Sequence, residues 1–465
     1  MWITVNLLPV FRVKQKRDTN PKRRLIMWVD ELRLENIKCF KALSLKLTQR
    51  GEPYKWITML GENGVGKSTA IQALGLLMAG PDGAKQLLPR PEGWLREETE
   101  PGKITVRLHR GKNDPGIDRV PKSFGYTFFL TGNKKLSIRN KEYSEPTIQE
   151  SSNSRLIWLR KNAFSSESKG WFAVGYGAFR RLTRSSQIII PSLEQQARYT
   201  NFITQYNEDQ PLSAFERWLV YLEFRIVKDN DHDAKRYKEL GIAAINKVLP
   251  DGVEFDSINS EARILFRIGN QKVPTIALSD GYRSILALSG DLIWRLIQAF
   301  PESDDPLKEE GVVLIDELDI HLHPTWQRDI SFWLREQFPN LQFFVATHSP
   351  LIAAGAGEDA LTLKFDLIEG EAKVKEVKNV YAMNIDRILQ SEAFSLVSTY
   401  SPQTQSKIDR YDTLIRKGSQ RTEQEEEEFG HLSLIMKEAR PIGGPPEPGS
   451  LEDKMEKYIE EHIDD

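Results

Sequence analysis

The sequence predicts an α/β fold: a parallel sheet covered on both faces, an antiparallel β-subdomain, a short helical insert and a helical C-terminal tail. Three observations predict it. Trp56 to Leu60 is a short apolar run that passes straight into a glycine-rich loop and then into good helix formers, the strand–loop–helix unit of a phosphate-binding fold. Downstream, Gly311 to Ile315 and Leu341 to Ala346 are two short, wholly apolar runs separated by a helical pattern, as strands buried on both faces read. Between these regions, Ile104 to Leu108, Tyr126 to Leu130 and Leu136 to Arg139 read as strands of an antiparallel subdomain.

In chain order, residues 1–26 form a basic, patternless extension that includes Lys14, Lys16, Arg17, Lys22, Arg23 and Arg24. Met27, just before a clear strand pattern, is an expected alternative start. Residues 27–190 are expected to form the N-terminal lobe with its β-subdomain. Leu32 to Phe40 and Leu43 to Leu47 alternate apolar and polar side chains, and a helix runs from Thr69 to Met78, ending near Gly80 and Pro81. Thr131 to Lys134 is expected to be a hairpin turn, and Trp171 to Val174 a further strand.

Residues 191–250 form a helical insert with the amphipathic stretch Ala214 to Phe224. Pro211 interrupts the pattern and no sustained heptads follow, which argues against a long coiled-coil arm. Residues 251–365 form a C-terminal lobe: two strands at Val253 to Phe255 and Ile264 to Ile268, a loop at Leu278, a helix to about Phe300, and then the two apolar strands. Beyond about Leu363 the chain turns polar and helical, so residues 366–465 are assigned to a partner-binding tail. It carries an acidic run, Glu423 to Glu428, and a Gly/Pro-rich linker, Pro441 to Gly449, while Leu367 to Glu371 reads as a hairpin turn.

The composition narrows the function. The chain has 465 residues, 64 basic against 66 acidic, so any surface for a polyanion must be local. Its single cysteine, Cys39, excludes an internal disulfide, and no apolar run approaches the ~20 residues needed to span a bilayer. A cytoplasmic protein without a membrane segment is expected.

Gly61, Glu62, Asn63, Gly64, Val65, Gly66, Lys67 and Ser68, followed by Thr69, fit the phosphate-binding loop pattern in the right context. Glycines let backbone N–H groups converge on phosphate oxygens, and the following helix adds its positive end. Lys67 would reach the β- and γ-phosphates, and Ser68 would ligate Mg²⁺. The apolar strand ending at Ile315 delivers Asp316 and Glu317. Asp316 is placed to hold the Mg²⁺ shell, and Glu317 to orient or deprotonate an attacking water. Ser279, Asp280 and Gly281 open a helix and offer a hydroxyl and a backbone N–H to an anion; a plain N-cap by Ser279 is the alternative. His321 and His323 are two potential ligands without a third, which argues against zinc.

Leu32 to Met78 and Ile276 to Ile352 carry these motifs in an order that resembles the SMC-like and RecF-like branch of ABC-type P-loop ATPases. The stretches Leu314 to Gln327 and Gln342 to Pro350 are similar to the ATPases of Septu-type and retron-associated anti-phage systems. The resemblance covers about a third of the chain. It implies an ABC-type P-loop NTPase head that binds and hydrolyses ATP with Mg²⁺, in a homodimer or higher oligomer built on ATP-sandwich dimers. Ser279, Asp280 and Gly281 would then form a signature loop acting on the partner's ATP, with Asp280 and Tyr282 departing from the usual glycine and glutamine. It also implies that Leu318 to Pro324 crosses the dimer interface and that His348 senses the γ-phosphate. No glutamine is assigned to the loop that links ATP to the partner: Gln187 is one candidate, and a structural turn explains Gly175 and Gly177 equally well.

By the same resemblance, the expected partners are an HNH nuclease and nucleic acid. The candidate surface for the latter is the insert together with the positive charge near the N-terminus, including Arg180, Arg181 and Arg184. Three other readings are a RecF-like repair ATPase acting on DNA, the ATP-binding subunit of a transporter, and a self-contained nuclease in which Glu369 would belong to a Toprim domain.

Overall fold

The structure, a computed structural model, describes residues 27–109, 123–138, 141–143, 145–152, 154–165, 171–178, 197–207, 214–249 and 252–439. The expectations for residues 1–26, Arg180, Arg181, Arg184, Gln187, Pro211 and the linker from Pro441 to Gly449 lie outside the described residues. Two compact units emerge: one extends to Ile388 and adds Glu392–Phe394, and the other comprises Leu389–Ser391 and the chain from Ser395 onward.

The first unit begins with β1 (Trp28–Ile37), β2 (Phe40–Lys46), a ribbon of β3 (Thr48–Gln49) and β4 (Glu52–Pro53), β5 (Trp56–Leu60) and α1 (Lys67–Leu87). There follow β6 (Gly102–His109), β7 (Ser123–Thr131), β8 (Leu136–Ile138), β9 (Lys141–Tyr143), β10 (Thr147–Glu150), α2 (Ser154–Asn162) and β11 (Ala173–Tyr176). After a 3₁₀ turn (Arg198–Gln205) come α3 (Ala214–Asp229), α4 (His232–Val248), a three-stranded sheet of β12 (Val253–Ile258), β13 (Ile264–Ile268) and β14 (Gln271–Pro274), and α5 (Asp280–Ala299). The unit closes with β15 (Gly311–Ile315), α6 (Pro324–Gln337), β16 (Leu341–Ala346), α7 (Pro350–Gly355), β17 (Leu361–Ile368), β18 (Glu371–Glu376) and the start of α8 (Ile385–Gln390).

The central sheet has the order β11-β15-β16-β5-β17-β18 and is parallel except for the last pair. Its middle strands are apolar throughout because both faces are covered. Ile57, Met59, Val312, Leu314, Phe344 and Ala346 enter one core, and Trp56, Val313, Ile315, Phe343 and Val345 enter the other. The first core also holds α1 and the inner face of a five-stranded antiparallel sheet, β10-β7-β6-β1-β2. Buried Gln342 ties the two sheets together: its Oε1 accepts from Val29 N at 2.7 Å, and its Nε2 donates to Tyr54 O at 3.1 Å. On the opposite face α3 and α4 pack against α5, where Gly290 leaves room for the Phe215 ring.

Several elements differ from expectation. The helix at α1 breaks at Gly80 (φ 78°, ψ 174°), where the sequence ends it, but a further turn follows from Pro81. Thr131 to Lys134 does not fold β7 back onto the next strand: β8 pairs with β9, and β7 pairs with β10. Thr131 Oγ1 fixes this arrangement by donating to Glu145 O at 2.8 Å and accepting from Thr147 N at 3.0 Å. The strand expected at Trp171 to Val174 lies two residues later, and α2 had no counterpart in the pattern. Beyond Leu363 the chain first completes β17 and β18, so the expected division at 365/366 falls inside β17. Glu369 (φ 50°) and Gly370 (φ 73°) form a tight left-handed hairpin turn, as the Leu367 to Glu371 reading expected.

The second unit is a hairpin of α9 (Pro402–Lys417) and α10 (Glu423–Ala439). Tyr411 stacks on Phe429 at 5.0 Å, with the Arg421 guanidinium 3.9 Å from the centre of the Phe429 ring. Arg410 pairs with Glu428 and Lys417 with Glu425, so part of the acidic run is engaged within the hairpin. No helix among the described residues is long and apolar enough to cross a membrane.

Candidate active site

β15, β16 and β5 are adjacent parallel strands that end on the same edge of the sheet, Ile315 beside Val345 and Ala346 beside Met59. Loops at this carboxyl edge are where open α/β sheets bind ligands. Gly61 (φ 146°), Gly64 (φ 80°) and Gly66 (φ 105°) take conformations that side chains avoid. A Cβ on Gly66 would also lie 2.6 Å from both Cys39 Sγ and the Phe40 ring, which close the back of the loop. The following α1 has no acidic residue in its first turn and no side-chain cap, which leaves the positive end of the helix without an answering side chain of its own.

Lys67 is buried at the start of that helix. Its Nζ donates to Gly61 O at 2.7 Å and Glu62 O at 2.8 Å, and lies 3.1 Å from His348 Nε2. Burial pushes its pKa below the usual lysine value, against the opposing charges of Asp316, Glu317 and Asp319. Ser68 is half-buried in the first turn and Thr69 is buried behind it, while Glu62, Asn63 and Gly64 are exposed and Val65 is buried.

Asp316 N donates to Tyr176 O at 2.9 Å, and its side chain is buried. Glu317 follows in the left-handed region (φ 48°), a strain of about 1–3 kcal/mol for a non-glycine residue that marks a constrained position. Asp319 then ties this loop to the end of β16: its Oδ1 accepts from Thr347 Oγ1 at 2.5 Å and from His348 N at 3.2 Å. Gln327 braces the same junction, donating to Leu322 O at 2.9 Å and accepting from Ser349 Oγ at 2.6 Å. Sequence reasoning gave no role to Asp319 or Gln327. Their only signal was polarity within the Leu314 to Gln327 stretch.

A buried polar cluster stands behind Asp316. Tyr176 Oη donates to Asp291 Oδ2 at 2.9 Å, Arg295 Nε donates to the same oxygen at 2.6 Å, and Asn201 links Arg295 to Ala173 O. The cluster joins α5 to the strand that holds the Asp316 backbone.

The structure thus brings together Lys67, Asp316, Glu317 and His348. Ser279 is exposed at the N-cap position of α5, and its side chain makes no capping bond there. Asp280 is exposed and pairs with Arg283. Gly281 is packed so closely that a Cβ would lie 2.8 Å from His321 O and 2.9 Å from the Trp326 ring. The contacts of this helix start are therefore with the loop after β15 and with α6. His323 caps α6 through Thr325 N, and the described residues contain no group of three His, Cys, Asp or Glu side chains suited to a metal. The Ser68 hydroxyl and the Asp316 carboxylate nevertheless fit Mg²⁺, which takes few protein oxygens and completes its shell with phosphate and water.

A family model described as "AAA domain, putative AbiEii toxin, Type IV TA system" matches residues 57–354. The chain is 25% identical over 403 residues to the Septu protein PtuA of Bacillus mycoides (strain KBAB4), covering 86% of this chain and 49% of that protein. It is 22% identical over 426 residues to the Septu protein PtuA of Bacillus thuringiensis, covering 89% and 95%. Over 83 residues it is 47% identical to the retron Ec83 probable ATPase of Escherichia coli, covering 18% and 15%. The chain therefore spans about half the length of the first of these relatives and a small part of the third. Among solved structures, an SMC head bound to the C-winged helix domain of ScpA aligns with a TM-score of 0.48 at 15% identity, covering 76% of this chain and 99% of that one.

Proposed function

The chain belongs to the family described as "AAA domain, putative AbiEii toxin, Type IV TA system", and on that premise we propose that it is the ATP-binding and ATP-hydrolysing subunit of an anti-phage defence complex. Two protomers dimerise head-to-tail around ATP and control a partner nuclease of the HNH type. The observation that carries this reading is the meeting of Lys67, Asp316, Glu317 and His348 at one sheet edge while Ser279 stands exposed and uncapped elsewhere.

ATP phosphates settle on the N–H groups of Gly61 to Ser68. Lys67 exchanges its contacts to Gly61 O, Glu62 O and His348 for the β- and γ-phosphates. Ser68 and Asp316 are the residues that would hold Mg²⁺, which would supply positive charge beside the transferred phosphoryl group. Glu317 orients and deprotonates the attacking water, and His348, released from Lys67, faces the γ-phosphate. The partner protomer completes the site with Ser279 and Gly281, and Asp319 keeps the loop after β15 in register with His348.

Glu317→Gln tests the chemistry: it keeps the side chain's shape and removes the charge, so the variant should bind ATP, accumulate as dimer and turn over poorly. Wild-type turnover would reject Glu317 as the base. Mixing tests the composite site. Ser279→Arg and Lys67→Ala are each expected to be inactive, and together they form some dimers with both lesions in one site. Full activity of Ser279→Arg alone would overturn the head-to-tail arrangement. Co-purification of an HNH nuclease with the chain tests the partner, and function retained after deletion of the chain from Ser395 onward, most of the second compact unit, would favour a RecF-like factor acting alone on DNA.

A further inference from the structure

We propose that the outward face of the five-stranded antiparallel sheet carries a separate site for one phosphoryl group, formed by Arg107 and Arg33 around a shallow hollow between β1, β6 and β7. Cross-strand pairing builds it. Glu31 stands opposite Lys46 on one side and Arg107 on the other, and Arg33 stands between Ser44 and Thr105. In the next strand the residue opposite Arg107 is Gly125, which brings no side chain of its own to the neighbourhood of the guanidinium. The result is a hollow of about 290 Å³ whose walls include Glu31, Arg33, Thr105, Arg107, Ser123 and Gly125.

The charges in the hollow are unevenly satisfied. Glu31 accepts from Arg33 Nε at 2.7 Å, Arg33 Nη2 at 2.9 Å and Ser44 Oγ at 2.9 Å. Burial alone would push its carboxyl pKa up. The hydrogen bonds from Arg33 and Ser44, with the charges of Arg33 and Arg107, outweigh that and hold it below the usual range. Glu31 is therefore an ionised, well-bonded carboxylate that answers one of the two guanidinium groups. The second is left over: Arg107 Nε is 3.8 Å from Glu31 Oε2, beyond hydrogen-bonding range, and the Arg107 side chain is 57% exposed.

Among the described residues the Arg107 guanidinium has no hydrogen-bond acceptor, and Arg33 Nη1 has none either. Two guanidinium groups against one carboxylate leave the hollow with a net positive charge. A planar fork with free donors is the group that pairs with phosphate oxygens. The carboxylate of Asp30 nearby accepts from Trp28 Nε1 at 2.5 Å and from Ser123 Oγ at 3.0 Å and is not among the residues that line the hollow.

The phosphoryl group could belong to a nucleic-acid backbone or to a free phosphate ester, and one experiment separates them. The full chain, with its phosphate loop filled by a non-hydrolysable ATP analogue and freed of excess, is titrated calorimetrically with inorganic phosphate and then with a duplex oligonucleotide. Wild type is compared with Arg107→Ala and with Lys103→Ala, whose ammonium pairs with Glu35 outside the hollow. Arg107 is exposed, so its loss leaves the fold intact, whereas removing Arg33 would strand buried Glu31.

Phosphate binding should weaken about tenfold or more in Arg107→Ala, the value of one charge-assisted hydrogen bond, and stay unchanged in Lys103→Ala. If the source is a nucleic-acid backbone, duplex affinity falls equally for all sequences in Arg107→Ala and the slope of log K against log salt drops by about one. If the source is a free ester, duplex binding is unaffected by Arg107→Ala while phosphate binding weakens by that factor. Absence of phosphate binding in the wild type, or its indifference to Arg107→Ala, would overturn the site. Affinity for the ATP analogue, read in a separate titration, should be equal in all three proteins, and a loss in Arg107→Ala would overturn the separateness of the site.

Discussion

The loop from Gly61 to Ser68 and the cluster of Tyr176, Asp291, Arg295 and Asn201 both support the sheet edge where β15 ends, and they do so by opposite means. The loop uses backbone: consecutive residues, three of them glycines at positive φ, and a lysine bonded to the loop's own carbonyls. The cluster uses side chains from three elements, β11, the 3₁₀ turn and α5, which meet only when the sheet is assembled. Damage should differ accordingly. A backbone device fails through atoms added, whereas a buried charge cluster fails through atoms removed.

The largest expected effect is at Lys67. Lys67→Ala deletes the one positive side chain of the loop, and nucleotide binding should be lost in an equilibrium titration, with Lys67's contacts to Gly61 and Glu62 also gone. Near-normal affinity would place nucleotide recognition elsewhere. Gly66→Ala should approach it in severity without touching any charge. The new Cβ overlaps Cys39 Sγ and the Phe40 ring, in a backbone conformation that costs a non-glycine residue about 1–2 kcal/mol. If Gly66→Ala binds ATP like wild type, the loop's conformation is not what organises the site.

On the other side of the comparison, Asp291→Ala should destabilise the fold by about 3–5 kcal/mol, because Arg295 loses its partner where its side chain is only 11% exposed. Equilibrium unfolding in urea reads this. A double variant, Asp291→Ala with Arg295→Met, should recover part of the loss because no buried charge is then stranded. A double variant no better than the single would mean the damage is a cavity rather than an unpaired charge.

The same contrast explains what the sequence disclosed. Gly61 to Ser68 and Asp316 with Glu317 were legible because each follows directly on an apolar strand, so local order carries the geometry; the role of His348 came from the family resemblance alone. Asp319 and Gln327 were not, because their value lies in bonds to Thr347, His348 and Ser349 across the sheet edge. Asp291 and Arg295 read as one turn of an amphipathic helix, and nothing in their spacing announces Tyr176, which reaches them because β11 runs parallel to β15. At β17 the period-two pattern of Leu361, Leu363, Phe365 and Leu367 was present, but the polar residues between and beyond them suggested a helical tail. Edge strands carry such residues, and β18 is the edge here.

The smallest effect sharpens the comparison most. Tyr176→Phe removes one hydroxyl from the cluster and leaves Asp291 bonded to Arg295, so the expected loss is about 1 kcal/mol, well below that of Asp291→Ala. The backbone bond from Asp316 N to Tyr176 O survives, and ATP affinity should therefore stay at the wild-type level. The pH dependence of this small difference is diagnostic. Burial first, and then the Asp291 charge, push the Tyr176 phenol well above its usual value, so it stays protonated in the folded chain. A folded-state pKa above the unfolded one contributes stability that is fully present below the unfolded value, about 10, and is lost as pH rises beyond it. The stability gap between wild type and Tyr176→Phe should thus be constant from about pH 7 to 9 and narrow above about pH 10, when the unfolded wild-type phenol ionises. A gap that grows with alkali would mean that Tyr176 ionises in the folded chain, and that the hydroxyl is not the donor holding Asp291.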